Sequence, residues 1–200
     1  MAAYYYFVSS LPMLNLDGVA PTNSSSFLEA AADWLTADDL VALEATRLEP
    51  APTHAAEDSL EAREEEPGPD RQTSVRREFA VMEHGLRNAL VHARAGKLSR
   101  DPAAYVRPHA GDPPLDVSDV AREAVAEESP LRAERTLDRY RWSFLDQLEV
   151  GHYFDIERLQ IYYLKLQLLE RSEVMSVERG EARFEELYEK TMETMQRMED

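Results

Sequence analysis

Apolar residues along this chain recur at three- and four-residue steps, the mark of one buried helix face, and nowhere do they alternate long enough to demand a sheet. The cleanest stripe runs from Ser74 to Ala95, through Val75, Phe79, Met82, Leu86, Ala89 with Leu90, and Ala93, with Gly96 offering a C-cap. Upstream, Ser26 to Arg47 reads as a helix pair. Phe27, Leu28, Ala31, Trp34 and Leu35 form the first face, and Thr36 with Asp39 makes a capping-box-like restart before Leu40 and Leu43. Tyr4 to Leu14 is a further apolar segment ending in an Asp17-Gly18 turn, and Tyr4 to Val8 is the one stretch compatible with a short strand. A short helix is predicted over Val117 to Glu127, and Phe184, Tyr188, Thr191, Met195 and Met198 mark one face of a terminal helix after Gly180. The pattern predicts an all-α fold, a helical bundle built from helix pairs.

The densest packing surface lies between Ser129 and Met175. Ser129-Pro130 is a helix start, since Pro fits a first turn where its missing donor is not needed. Leu137, Tyr140 or Arg141, Phe144 and Leu148 then form a face, Gly151 interrupts, and Asp155 is placed to cap a second helix. In that helix Ile156, Leu159, Ile161, Tyr162, Tyr163, Leu164, Leu166, Leu168 and Leu169 circle the axis. A helix apolar on most sides is buried in a core or pressed between two partners.

Between these blocks, residues 49–71 change character. Pro50, Pro52, Pro67 and Pro69 punctuate a run with Glu57, Asp58, Glu61, Glu64, Glu65 and Glu66. Such a run buries too little surface to offset backbone ordering, roughly 1–2 kcal/mol per residue. It is predicted to be a mobile acidic loop, with room for a short helix at 55–66. The expected organisation is an N-terminal helical lobe at 1–48, the acidic Pro-rich loop at 49–73 and a main helical domain at 74–200. Trp34 to Leu40 and Tyr153 to Leu159 echo one another, which suits either a duplication or two similar helix joins.

The 200 residues contain no Cys, so disulfides and thiolate metal sites are excluded and an intracellular, cytoplasmic location is expected. The opening has no basic region, and the run Leu159 to Leu169 contains Lys165 and is too short to span a bilayer, so neither a signal peptide nor membrane insertion is expected. A net charge of -17 argues against nucleic acid, whose binding needs clustered positive charge, and against anionic membrane surfaces.

Catalytic signatures are sparse. There is no Gly-x4-Gly-Lys-Ser/Thr loop and no Gly-x-Gly-x-x-Gly. Glu149 and His152 match half of the Glu-x-x-His motif of di-iron bundles, which needs a second copy and two more Glu; a capping or surface His is the expectation. His84 and His92 stand about 80° apart around their helix, too far to share a metal. No catalytic residue, cofactor or metal is expected. Arg132, Arg135, Arg139 and Arg141, interleaved with Glu134 and Asp138, suit either a solvated helix face or an interface meeting carboxylates on another protein. Trp142 suits the core or an interface in the same way.

Tyr4-Tyr5-Tyr6-Phe7-Val8-Ser9-Ser10-Leu11-Pro12 at one end, and Ser129-Pro130-Leu131, Glu134, Leu137-Asp138, Arg141-Trp142, Phe154-Asp155 and Tyr163-Leu164-Lys165-Leu166 near the other, resemble a small family of uncharacterised proteins. Genes of that family lie among the subunits of bacterial V/A-type rotary ATPases. The resemblance implies a non-catalytic subunit or accessory factor of such an ATPase, in the place where an all-helical socket of the C (d) type would join the central stalk to the membrane ring. This chain is shorter than that socket, so a reduced equivalent or a different accessory component is implied. The expected partners are V/A-type ATPase subunits of the stalk or ring, reached through Arg132, Arg135, Arg139, Trp142 and Tyr162. The alternatives are a metal-binding helical-bundle enzyme and a general helical protein-interaction adaptor.

Overall fold

A computed structural model describes residues 2–48, 74–108 and 111–175. The acidic loop, its short helix and the terminal helix with Met195 and Met198 lie outside the described residues. Among the described residues the chain forms seven α-helices and no strand: α1 (Ala2–Ser10), α2 (Ser24–Ala32), α3 (Ala37–Glu44), α4 (Ser74–Leu98), α5 (Val117–Ala126), α6 (Pro130–Leu148) and α7 (Ile156–Val174). The fold is all-α, and no described helix is long and apolar enough to cross a membrane.

Three of the seven helix starts follow local side-chain capping chemistry. The Asn23 side chain accepts the Ser26 N–H, Thr36 Oγ1 accepts the Asp39 N–H, and Asp155 Oδ1 accepts the Arg158 N–H, each satisfying a free donor of a first turn. Ser129 occupies the N-cap of α6 with Pro130 behind it, but its hydroxyl makes no cap bond. One alternative is set aside and one expectation is corrected. Tyr4 to Val8 is helical, as an all-α chain requires, and does not form the short strand with which its sequence is also compatible: Phe7 is buried, and Tyr4, Val8 and Leu11 pack beside it at helical spacing. Gly96 does not end α4. The helix runs on to Leu98, where Lys97 Nζ donates to the Val125 carbonyl of α5 (3.0 Å), and the left-handed residue is Ser99 (φ 53°). Arg100 N–H then bonds Ala95 O (2.9 Å) and Ser99 N–H bonds Gly96 O (3.3 Å), a Schellman cap.

The core is two clusters sharing one helix. Val75, Phe79, Met82, Leu86 and Leu90 of α4 join residues of α5 and α6 and Ile161, Leu164 and Leu168 of α7. Phe7, Phe27, Ala31 and Leu43 of α1–α3 join Leu159, Tyr162, Tyr163 and Leu166 of α7. At about 100° per residue these two α7 sets lie on opposite sides of the axis, roughly 180° apart. The apolar girdle of α7 therefore reflects two halves of its own chain, one packed on each side.

Candidate functional site

Gly151 adopts a left-handed conformation (φ 95°) that turns α6 back toward α7 and sets their polar side chains face to face. Lys165, mid-way along α7 and buried, donates to Asp146 Oδ1 (2.6 Å) and Glu149 Oε2 (2.5 Å) and lies 5.4 Å from the centre of the Trp142 ring, a cation–π distance. Arg158 pairs with the other oxygen of Glu149. Burial lowers the pKa of Lys165, opposed by its hydrogen bond to Asp146, and burial likewise lowers that of Arg158. Val8 and the Leu11–Leu14 segment wall off a cleft of about 360 Å³ above these groups. Two cations meet two carboxylates there, so the cleft is electrically balanced and latches α6 to α7.

A second charged cluster ties α4, α6 and α7. Arg141 Nε donates to Glu83 Oε1 (2.5 Å) and a terminal nitrogen donates to Asp138 Oδ1 (2.9 Å). Arg87 approaches Glu83 (3.7 Å), while Arg171 pairs with Glu134 and stands 3.4 Å from Asp138. Burial pushes the Asp138 carboxyl above its ordinary range, with Arg171 and Arg141 opposing. Burial works against the charge on Arg141, but Glu83 and Asp138 outweigh it and its pKa rises. Three guanidinium groups thus face three carboxylates in and beside the core.

The structure does not gather the five candidate interaction residues into one site. Arg132, Arg135 and Arg139 are exposed on the outer face of α6 and form no ion pair among the described residues. Trp142 is half-buried between the core and Lys165. Tyr162 is buried in the α1–α3 cluster, and its hydroxyl donates to the Pro12 carbonyl (3.1 Å). Sequence reasoning missed Glu83, Lys165 and Arg171, and it put Asp138 and Arg141 on a solvated or interfacial stripe where the structure buries and pairs them. A signal for the last two was present: Asp138 and Arg141 stand three residues apart on the stripe that carries Leu137 and Leu145.

Glu149 and His152 do not converge. Glu149 turns to Lys165 and Arg158, while His152 Nδ1 lies 2.8 Å from Asp155 Oδ2. His152, Asp155 and Glu157 do bring one possible ligand atom each within 4.8 Å of one another. Both oxygens of Asp155 are engaged, by the Arg158 N–H and by His152, and the group sits at the N-terminus of α7, where the helix dipole favours anions over cations. Its chemistry is that of a helix cap.

A family model described as "Protein of unknown function (DUF2764)" matches residues 110–195, a stretch that takes in α5, α6 and α7. No curated protein and no solved structure matches the chain.

Proposed function

We propose that this chain is a non-catalytic subunit or accessory factor of a V/A-type rotary ATPase, in its socket-like form a rigid link between central stalk and membrane ring. The observation that carries the reading is that the two stretches bearing the resemblance come together in space. Tyr5 packs on Phe154 with ring centres 4.8 Å apart, Phe27 lies between Phe7 and Tyr162, and Tyr162 holds the Pro12 carbonyl. Residues 4–12 and 129–166 therefore form one packed unit. Stiffness supports the same role. A part that passes torque must not yield internally, and here α7 is packed on both sides while ion pairs join α4, α6 and α7.

The expected outcome is co-purification with the rotor stalk of the host's V/A-type ATPase. Removal of the chain should leave ATP hydrolysis by the soluble head intact while uncoupling it from ion movement. Charge reversal at Arg132, Arg135 and Arg139 should weaken the association, less so at high salt. A low-salt pull-down with folded protein that recovers no component of the ATPase would overturn the reading in favour of a general helical adaptor, which the exposed aromatic residues beside α1 also suit. Stoichiometric iron or zinc in the purified protein would favour the metal-bundle alternative.

A further inference from the structure

Three aromatic rings stand together on the surface where α1 meets the start of α7. Tyr5, Tyr6 and Phe154 are 52, 62 and 46 % exposed, with the Tyr5 ring 5.7 Å from Tyr6 at 83° and 4.8 Å from Phe154 at 50°. Tyr5 and Phe154 stand 149 residues apart in sequence, so packing of α1 against α7 fixes the ridge. Aromatic side chains grouped in water on a rigid support are the usual anchors of protein interfaces. We infer that the Tyr5–Tyr6–Phe154 ridge is a docking surface for a basic segment of a partner protein, one that lays Arg or Lys side chains over the ring faces.

Charge selects that partner. Ring faces carry negative potential and attract guanidinium and ammonium groups. α1 contains no charged residue, and of the charged groups next along the chain from Phe154, Asp155 caps α7, Arg158 is paired with Glu149, and the half-buried Glu157 carboxylate remains. The whole chain carries -17, so an acidic segment is repelled, and a second copy would bring the same charge to the same face. The inference rests on the proposed role as a docking protein, whichever assembly it joins.

The test uses a fluorescein-labelled helical peptide with Leu on one face and Arg on the other, beside a control with Glu at every Arg. Anisotropy is read at physiological salt (about 0.15 M). The Arg peptide should bind and the Glu peptide should not. The triple variant Tyr5→Ala, Tyr6→Ala, Phe154→Ala should lose about tenfold in affinity although its net charge is unchanged. Equal binding by that variant would mean that the field of the chain alone attracts the peptide, and would overturn the inference. So would failure of the wild type to bind, or a dimer in sedimentation that dissociates in the triple variant. Far-UV circular dichroism checks the fold; if the triple variant is unfolded, Tyr6→Ala, at the most exposed position, serves as the same test. Peptide binding lost while ATPase association persists would sink the ridge alone. Peptide binding without ATPase association would sink the ATPase assignment alone.

Discussion

Replacing Arg141 by Met should destabilise the fold by about 3 kcal/mol. The side chains of Arg141, Glu83 and Asp138 are 8, 12 and 7 % exposed, so both carboxylates would be left largely out of water. Removing one partner of a buried ion pair costs about 3–5 kcal/mol, because the remaining charge is uncompensated. The low end applies here, since Arg87 stands 3.7 Å from Glu83 and Arg171 stands 3.4 Å from Asp138, and each supplies part of the lost field. Lys165→Met is the informative contrast. Lys165 is as buried as Arg141, but its partners Asp146 and Glu149 are 55 and 30 % exposed and can be hydrated, and Glu149 keeps Arg158. Met fills the stem volume, so the loss should be about 1 kcal/mol or less. Urea denaturation followed by circular dichroism separates the two. With a slope of about 1–3 kcal/mol/M, Arg141→Met should lower the midpoint by about 1–3 M. Equal losses for the two variants, or a loss under about 1 kcal/mol for Arg141→Met, would show that exposure of the partners does not set the cost.

Asp138→Asn gives a pH test. Burial raises the folded pKa of Asp138 above 3.8, so its contribution is fully present below the unfolded value and is lost as pH rises through the folded one. The stability of wild type relative to the Asn variant should therefore fall as pH rises above about 4; a difference that grows with pH would mean that the Arg141 and Arg171 pairs dominate. Gly85→Ala should destabilise by about 1–3 kcal/mol, because a Cβ there would lie 2.2 Å from Pro113 Cβ. At Gly96, helical and with nothing within 4 Å, the same change should stabilise by about 0.5–1 kcal/mol; thermal melts that move in the same direction would be contrary to this. Leu164→Ala and Leu166→Ala should each cost about 2–5 kcal/mol and Arg135→Ala under about 0.5, and comparable melting shifts would mean that the buried face is misassigned.

What was legible in the sequence follows from how local its cause is. The α4 stripe and the caps at Thr36 and Asp155 were readable because they depend on residues within one or two turns. Helix α1 was legible only in part, since Tyr-Tyr-Tyr-Phe-Val is also compatible with a strand on its own and is held as a helix by docking Phe7 against Phe27 and Trp34. Gly96 misled for a different reason: a glycine near a helix end suggests a cap, but α4 runs two residues further and Ser99 takes the left-handed position, closed by the Arg100 N–H on the Ala95 carbonyl. For the candidate site, exposure of the Arg132, Arg135 and Arg139 stripe was within reach of periodicity, whereas the partners of Arg141 and Lys165 were not. Glu83 and Arg141 are 58 residues apart in sequence, and no spacing rule joins them. The aromatic ridge likewise needs α1 and α7 side by side before it exists.

The polar residues of α7 explain how a helix apolar on two opposite sides fixes one arrangement of the chain around it. Leu, Ile and Tyr contacts favour burial but scarcely specify register, because hydrophobic packing is non-directional. Directional bonds supply the register. Gln160 Nε2 donates to the Ala42 carbonyl (3.1 Å), and Gln167 both accepts the Leu48 N–H (3.0 Å) and donates to the Thr46 carbonyl (3.2 Å). Glu170 accepts the Ser24 N–H (2.6 Å) in the first turn of α2, where a free donor and the helix dipole both favour a carboxylate, and Glu173 accepts the Ala20 N–H (2.8 Å). These bonds satisfy backbone groups in the ends and loops of α2 and α3 that those short helices leave open. Arg171 and Lys165 in turn tie α7 to α6. The α1–α3 cluster is completed by α7 and held in register by it. In the proposed coupling role, a load applied at α1–α3 would therefore reach α4–α6 through one helix bonded to both.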